Sequence, residues 1–175
     1  MRVELKGEQR CFSSNGIPNH ATGSFPNAAN PNSMRSQRQR YCVSAKPRKT
    51  KRYTQLNGTA AIALNGIIIR PGTADYYDAS SPRGFSRHGD RRCGLEGMGN
   101  ASALGMDQSN AHLDNHGVYH YHGVPLGLLA GNGSGSHVGY AADGFDIHYV
   151  PAKRSGYVLK AGARPYGSSR HYDGV

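Results

Sequence analysis

Apolar residues along the chain occur in short runs that alternate with turn-forming residues, and no segment of ten or more residues has the 3.6-residue spacing of an amphipathic helix. Between residues 60 and 70, two apolar runs flank Asn65-Gly66, a dipeptide that favours the positive φ angles of a two-residue hairpin turn. This pattern predicts a β-hairpin in the core. The expected cross-strand pairs are Leu64 with Ile67 and Ile62 with Ile69.

Other segments divide into strands and loops. Asp143-Gly144 separates two half-apolar runs between residues 137 and 150, which predicts another hairpin, and residues 156–162 (GYVLKAG) form one more candidate strand. Residues 13–33 are rich in Asn, Gly and Pro, and residues 71–105 show no period, so we expect loops there, with short 3₁₀ turns in the second segment. The predicted fold class is all-β, with short antiparallel hairpins and long ordered loops in a sandwich- or barrel-like arrangement.

The composition agrees with this fold class. The chain has 175 residues, enough for one domain with a hydrophobic core, and we treat residues 1–175 as that domain. Its 24 glycines and 9 prolines are typical of a chain dominated by turns. No apolar run approaches the roughly 18 residues of a membrane-spanning helix. The first twelve residues also lack the apolar stretch of a secretory signal.

The formal net charge of +10 comes mainly from one segment. Residues 35–52 contain eight basic residues and no acidic one, which leaves +2 for the rest of the chain. Because Ser, Gln and Pro47 break any strand or helix period, we expect a solvated, partly mobile basic loop. Nucleic-acid binding through this loop is the weakest of three functional hypotheses, and it requires an affinity that falls steeply with salt.

The cysteines and glycine-rich stretches exclude several kinds of site. No two of the three cysteines, Cys11, Cys42 and Cys93, are spaced closely enough for the paired ligands of a zinc knuckle. They are compatible with one disulfide and one remaining thiol, or with three buried free thiols. The GNGSGS stretch at residues 131–136 lacks the Gly-Lys-Ser/Thr ending of a P-loop. A G-x-S-x-G nucleophile elbow is also absent, which argues against an ordinary α/β-hydrolase.

The strongest chemical signal lies in residues 110–125 (NAHLDNHGVYHYHGVP), where four histidines fall within eleven positions. Residues 114–117 have turn composition, and Gly117 suits the left-handed position that closes a three-residue hairpin loop. The expected pairs are His112 with His120, Leu113 with Tyr119, and Asp114 with Val118. Because side chains alternate along a strand, one face carries His112, His120 and His122, and the other carries Tyr119 and Tyr121.

Three imidazoles on one face predict a transition-metal site, with zinc or copper bound by His112, His120 and His122. A site of this kind with an open coordination position supports hydrolysis through metal-bound water or copper redox chemistry, and nothing local decides between the two. In the competing interpretation, the histidines of the strand are polar residues that merely alternate with core tyrosines. We expect His116, at the tip of the turn, to be exposed to solvent.

These residues resemble the YHYH domain family, which is named for the tetrapeptide found here at residues 119–122. The resemblance covers four ordered blocks, at residues 15–32, 63–76, 104–125 and 139–147. It implies a bacterial protein that is usually exported, hence extracellular or periplasmic, and that has no established activity. It also implies that members continue beyond both ends of this chain. Asp146 and His148 depart from the family pattern, which has Pro and Tyr there.

The resemblance marks further positions that can add a ligand or line the site, namely His20, Asp107, Tyr119, Tyr121 and Asp143. For Asp143, a purely turn-forming role before Gly144 is an equal alternative. Two function classes lead: an exported metal-binding protein that can also be a metal-dependent enzyme, and a non-catalytic binding module on the cell surface or in the periplasm. Metal analysis of the purified protein distinguishes them.

Overall fold

A computed structural model of the protein describes residues 1–52, 58–131, 133, 135–153 and 172–174. The elements in chain order are β1 (Arg2–Lys6), β2 (Gln9–Ser14), β3 (Gln39–Ser44), β4 (Ala61–Ala63), β5 (Ile68–Ile69), β6 (Gly72–Tyr77), β7 (Phe85–Ser86), β8 (Asp90–Glu96), the 3₁₀ turn η1 (Met98–Asn100), β9 (Ala111–Leu113), β10 (Tyr119–Tyr121), α1 (Leu126–Gly131), β11 (His137–Ala141), β12 (Asp146–His148) and β13 (Tyr172–Gly174). The predicted mainly-β class is confirmed. The candidate strand at residues 156–162 lies outside the described residues.

The strands form three open sheets, and within the described ranges none of them closes into a barrel. Their orders are β1-β2-β3, β12-β11-β4-β5-β10-β9 and β13-β8-β6-β7. The largest sheet contains one parallel pair, β5 with β10, among the expected antiparallel pairs. In the part of the chain described, no helix is long and apolar enough to cross a membrane.

The first sheet corrects the expectation that residues 35–52 are entirely loop, because residues 39–44 form β3. This strand pairs with β2 in an antiparallel ladder, and Val43 is buried against Phe12 and Ile62. The basic side chains of the segment are exposed. Because they outnumber the apolar residues of β3, the sequence pattern of the segment did not indicate a strand. Cys11 and Cys42 lie opposite each other in this ladder and form a disulfide, which leaves Cys93 as a free, half-buried thiol.

Residues 71–105 were expected to be loops with 3₁₀ turns, and this prediction is wrong for the 15 of its 35 residues that form strands. They contain β6, β7 and β8 in addition to η1. The ladder between β6 and β8 has irregular register, so its apolar positions do not recur at every second residue. A small core of Phe85, Leu95 and Leu104 supports this sheet.

The hairpin of β4 and β5 differs from its predicted register by one residue. Ile62 pairs with Ile68 and not with Ile69, and the loop has three residues, Leu64 to Gly66. Gly66, at φ +82°, takes the left-handed position that closes this loop. Asn65 is the middle residue of this loop and not the first residue of a two-residue turn. Its side-chain amide accepts a hydrogen bond from the Ile67 backbone N–H and donates another to the Tyr121 hydroxyl.

The hairpin of β9 and β10 has the predicted register, with His112 opposite His120 and Leu113 opposite Tyr119. Its three-residue loop ends at Gly117, whose φ is +75°. The Asp114 carboxylate accepts hydrogen bonds from the backbone N–H groups of His116 and Val118, which fixes the turn. This hairpin lies at the edge of the largest sheet, where β10 pairs with β9 on one side and with β5 on the other.

Replacement of Gly117 by alanine tests how firmly this turn is held. A Cβ atom at Gly117 would lie 2.5 Å from the Ser33 carbonyl oxygen, whereas Gly7, also in the left-handed region at φ +60°, has nothing within 4 Å. We expect Gly7→Ala to cost about 1–2 kcal/mol of unfolding free energy for the backbone conformation alone. Gly117→Ala should cost more, and urea denaturation of both variants measures the difference. Equal losses would contradict tight packing of the turn against Ser33.

Candidate metal centre

Strand pairing brings the three predicted histidines together. His112 on β9 is directly opposite His120 on β10, and His122 follows two residues later on the same face. The Nε2 atom of His122 lies 3.0 Å from Nε2 of His112 and 3.1 Å from Nε2 of His120. One ligand nitrogen from each ring falls within 4.8 Å of the others, a separation suited to a shared metal ion.

The other nitrogen of each ring faces a backbone carbonyl oxygen. The Nδ1 atoms of His112, His120 and His122 lie 2.7, 3.0 and 3.4 Å from the carbonyl oxygens of Leu104, Val118 and Pro71, respectively. A carbonyl oxygen only accepts hydrogen bonds, so each Nδ1 carries the proton and donates it. In the neutral rings, the lone pair is therefore on Nε2, and the three lone pairs converge.

Burial keeps these rings neutral. It lowers the pKa of His120 to about 3 and that of His122 to about 4, and the neighbouring imidazole of His112 acts in the same direction on both. Burial also lowers the pKa of His112. At neutral pH no ring holds a second proton that it can share with its neighbours. The three Nε2 atoms at the centre of the triad are therefore all hydrogen-bond acceptors, and none of the three rings donates a hydrogen bond to them.

Two segments distant in sequence complete the surroundings of the triad. Pro71, before β6, supplies the carbonyl oxygen for His122, and Gly97, after β8, packs against the same ring: a Cβ atom there would lie 2.9 Å from His122 Nδ1. Arg70 forms an ion pair with Asp114, with Nη1 2.9 Å from Oδ2, and donates its backbone N–H to the carbonyl oxygen of Tyr121. Sequence analysis missed these residues.

The opposite face of β10 carries a second polar cluster. The Tyr119 hydroxyl donates to Asp107 Oδ2 at 2.7 Å. The Tyr121 hydroxyl lies 2.6 Å from His20 Nε2 and accepts a hydrogen bond from Asn65. Because His20 Nδ1 faces the Ala21 carbonyl oxygen at 2.9 Å, its Nε2 accepts the proton of Tyr121. These contacts join the loop of residues 15–38 to the hairpin.

The candidate additional ligands do not join the triad. His20 and Asp107 form hydrogen bonds with the hydroxyls of Tyr121 and Tyr119, respectively. All four side chains lie on the face of β10 opposite the triad. Asp143 is exposed in the loop between β11 and β12, where its carboxylate accepts a hydrogen bond from the Phe145 N–H. His116 is exposed at its turn, as expected. Among the described residues, the group able to hold a metal consists of His112, His120 and His122 alone.

The fold and the site define a mainly-β protein with a histidine triad on one face of a short hairpin, in which two rings are buried and the third is half-buried. The chain belongs to the YHYH protein family, whose model matches residues 40–172. This match confirms the resemblance seen in the sequence and includes both strands of the triad. No curated protein and no solved structure matches the chain.

Proposed function

We propose that the protein is an exported metal-binding protein that holds a zinc or copper ion on His112, His120 and His122. The observation that carries the proposal is the shared orientation of the three rings: each Nδ1–H is fixed by a backbone carbonyl oxygen, and each Nε2 points to a common centre. Metal-binding histidines are typically oriented in this way by a partner on the second ring nitrogen.

The arrangement is costly without a cation. His120 and His122 are 4% and 5% exposed, so their Nε2 atoms have little access to water. A buried acceptor without a donor costs about 1–3 kcal/mol. A metal ion bound by the three nitrogens would remove this cost. This consideration favours a metal site over the interpretation in which the histidines are merely polar residues of the core.

The proposed export has separate support. The disulfide between Cys11 and Cys42 connects β2 to β3, and structural disulfides persist mainly in oxidising compartments such as the periplasm or the extracellular space. Non-reducing and reducing mass spectrometry of protein isolated from its natural source tests this step. Recovery of the protein with both thiols reduced would argue against an exported location.

The metal proposal is tested by elemental analysis and by binding to the metal-free protein. We expect stoichiometric metal in the purified protein and its loss in His120→Ala, because one of three ligands is removed. His116→Ala is the matched control, since this histidine belongs to the same hairpin but is exposed. The ion should also raise the melting temperature of the wild type and of His116→Ala, but not that of His120→Ala. Equal metal content in all three proteins would refute the proposal.

A further inference from the structure

The first sheet carries an open groove at the end where β1 and β3 begin and β2 ends. Its volume is about 590 Å³, within the range of small-molecule binding sites. Three arginines line the groove, Arg2, Arg38 and Arg40, together with five residues that have hydroxyl or amide side chains. None of the described residues that line it has a carboxylate or an aromatic ring. The lining thus consists mainly of hydrogen-bond donors, and its charged groups are all positive.

The strand register places two of these arginines in one row across the sheet. Arg2 pairs with Ser13 in the β1–β2 ladder, and Ser13 pairs with Arg40 in the β2–β3 ladder. Paired residues of antiparallel strands point to the same face, and neighbouring strands lie about 5 Å apart. The Cα atoms of the two arginines are therefore about 10 Å apart, with Ser13 between them. The disulfide between Cys11 and Cys42, in the next row of this face, holds β2 and β3 together beside the groove.

The positive charge of the groove is only partly compensated. Arg2 forms an ion pair with Glu4 at 2.6 Å. In the described part of the chain, no carboxylate forms an ion pair with Arg38 or Arg40. Both side chains are exposed, and their segment, residues 35–52, contains no acidic residue. Arg38 and Arg40 therefore present planar guanidinium groups that can each donate two hydrogen bonds to a carboxylate.

We propose that this groove binds an acidic polysaccharide, whose carboxylates contact Arg38 and Arg40 and whose hydroxyls contact the neighbouring polar side chains. The lining favours a saccharide over a single-stranded nucleic acid, because proteins hold unpaired bases by stacking them on aromatic rings, which the lining residues lack. Two groups suit sugar hydroxyls: the Ser13 hydroxyl and the Asn15 side-chain NH₂ donate no hydrogen bond to any described residue. The inference is independent of the proposed metal site, which lies on the largest sheet.

Two double variants that remove the same charge test the proposal. Arg38→Gln with Arg40→Gln removes it from the groove. Arg48→Gln with Lys49→Gln removes it from the segment that follows β3, at the opposite end of that strand, and is the matched control. All four side chains are exposed, so urea denaturation should show the stability of the wild type for both double variants.

The probes are oligogalacturonate and oligomannuronate, two chains of sugar carboxylates that differ in stereochemistry, and binding is measured by isothermal titration calorimetry at physiological salt. Under these conditions, charges more than about 8 Å from the ligand are largely screened. We expect the wild type to bind at least one of the two chains. The groove variant should bind it about tenfold more weakly, and the control variant should lose less than about twofold. A neutral oligosaccharide of the same length should not bind measurably.

Four outcomes would overturn the proposal. Equal losses in the two double variants would mean that the basic segment as a whole, and not the groove, attracts the ligand. Equal affinity for the neutral oligosaccharide would remove the role of the arginines. Tighter binding of single-stranded DNA of the same charge would assign the groove to a nucleic acid. Absence of binding to both acidic chains would refute the assignment to a polysaccharide of this class.

Discussion

Replacing Asp107 by asparagine is expected to lower the free energy of unfolding by about 2–4 kcal/mol, because a charged acceptor at the centre of four hydrogen bonds is lost. Oδ2 of Asp107 accepts from the Tyr119 hydroxyl and the Gly23 N–H, and Oδ1 accepts from the backbone N–H groups of Ser109 and Ala111. An asparagine can keep the oxygen on one side only. Its NH₂ group then faces the Gly23 N–H, two donors that cannot bond.

The matched control is Asp143→Asn, the same chemical change at an exposed turn. Its carboxylate accepts one long hydrogen bond, at 3.4 Å from the Phe145 N–H. We expect a change within about 0.5 kcal/mol there. Urea denaturation followed by circular dichroism compares the two variants with the wild type. If Asp107→Asn were as stable as Asp143→Asn, the Asp107 carboxylate would not be needed to attach the loop of residues 15–38 to the hairpin.

The hairpin of the triad could be predicted from the sequence because every signal that defines it is local. The turn at residues 114–117 fixes the register, and the two-residue alternation of a strand then decides which side chains share a face. Leu113 opposite Tyr119 and His112 opposite His120 follow from these two facts. The same reasoning separates the histidines from the tyrosines of the tetrapeptide at residues 119–122.

Local signals were insufficient where two turn types compete or where strands pair irregularly. Asn65-Gly66 is compatible with a two-residue turn, but Asn65 instead hydrogen-bonds the Tyr121 hydroxyl on a neighbouring strand, and the loop takes a third residue. The sheet built from residues 72–96 was missed because its irregular β6–β8 ladder erases the alternation of apolar positions. Both features depend on contacts between segments far apart in sequence.

The partners that orient the triad were beyond prediction for the same reason. The carbonyl oxygens of Leu104 and Pro71 come from loops outside the hairpin, and any residue type can supply a carbonyl oxygen. No side-chain pattern marks them. The sequence thus predicts which nitrogens can meet, whereas the fold determines that each Nδ1 is occupied and each Nε2 is available for a ligand.

Replacing Gly97 by alanine is expected to weaken metal binding by about 10–100-fold while leaving the fold intact, the range typical of changes in residues that orient metal ligands. The backbone of Gly97 is helical, with φ −65° and ψ −55°, a conformation that alanine favours over glycine. The need for glycine therefore comes from space: an added Cβ atom would lie 2.9 Å from His122 Nδ1 and 3.2 Å from the Pro71 carbonyl oxygen. It would push the ring off its hydrogen bond and turn Nε2 away from the other two histidines.

Gly94→Ala is the control for Gly97→Ala, because Gly94 lies on the adjoining strand β8 and has nothing within 4 Å of its added Cβ atom. Chelator competition should show the loss of affinity in Gly97→Ala alone, and urea denaturation of the metal-free proteins should show similar stability for both variants. The comparison separates positioning from folding: a metal affinity in Gly97→Ala equal to that of Gly94→Ala would mean that the position of the His122 ring does not depend on the space at Gly97. A loss of both affinity and stability would instead assign Gly97 to the support of the fold.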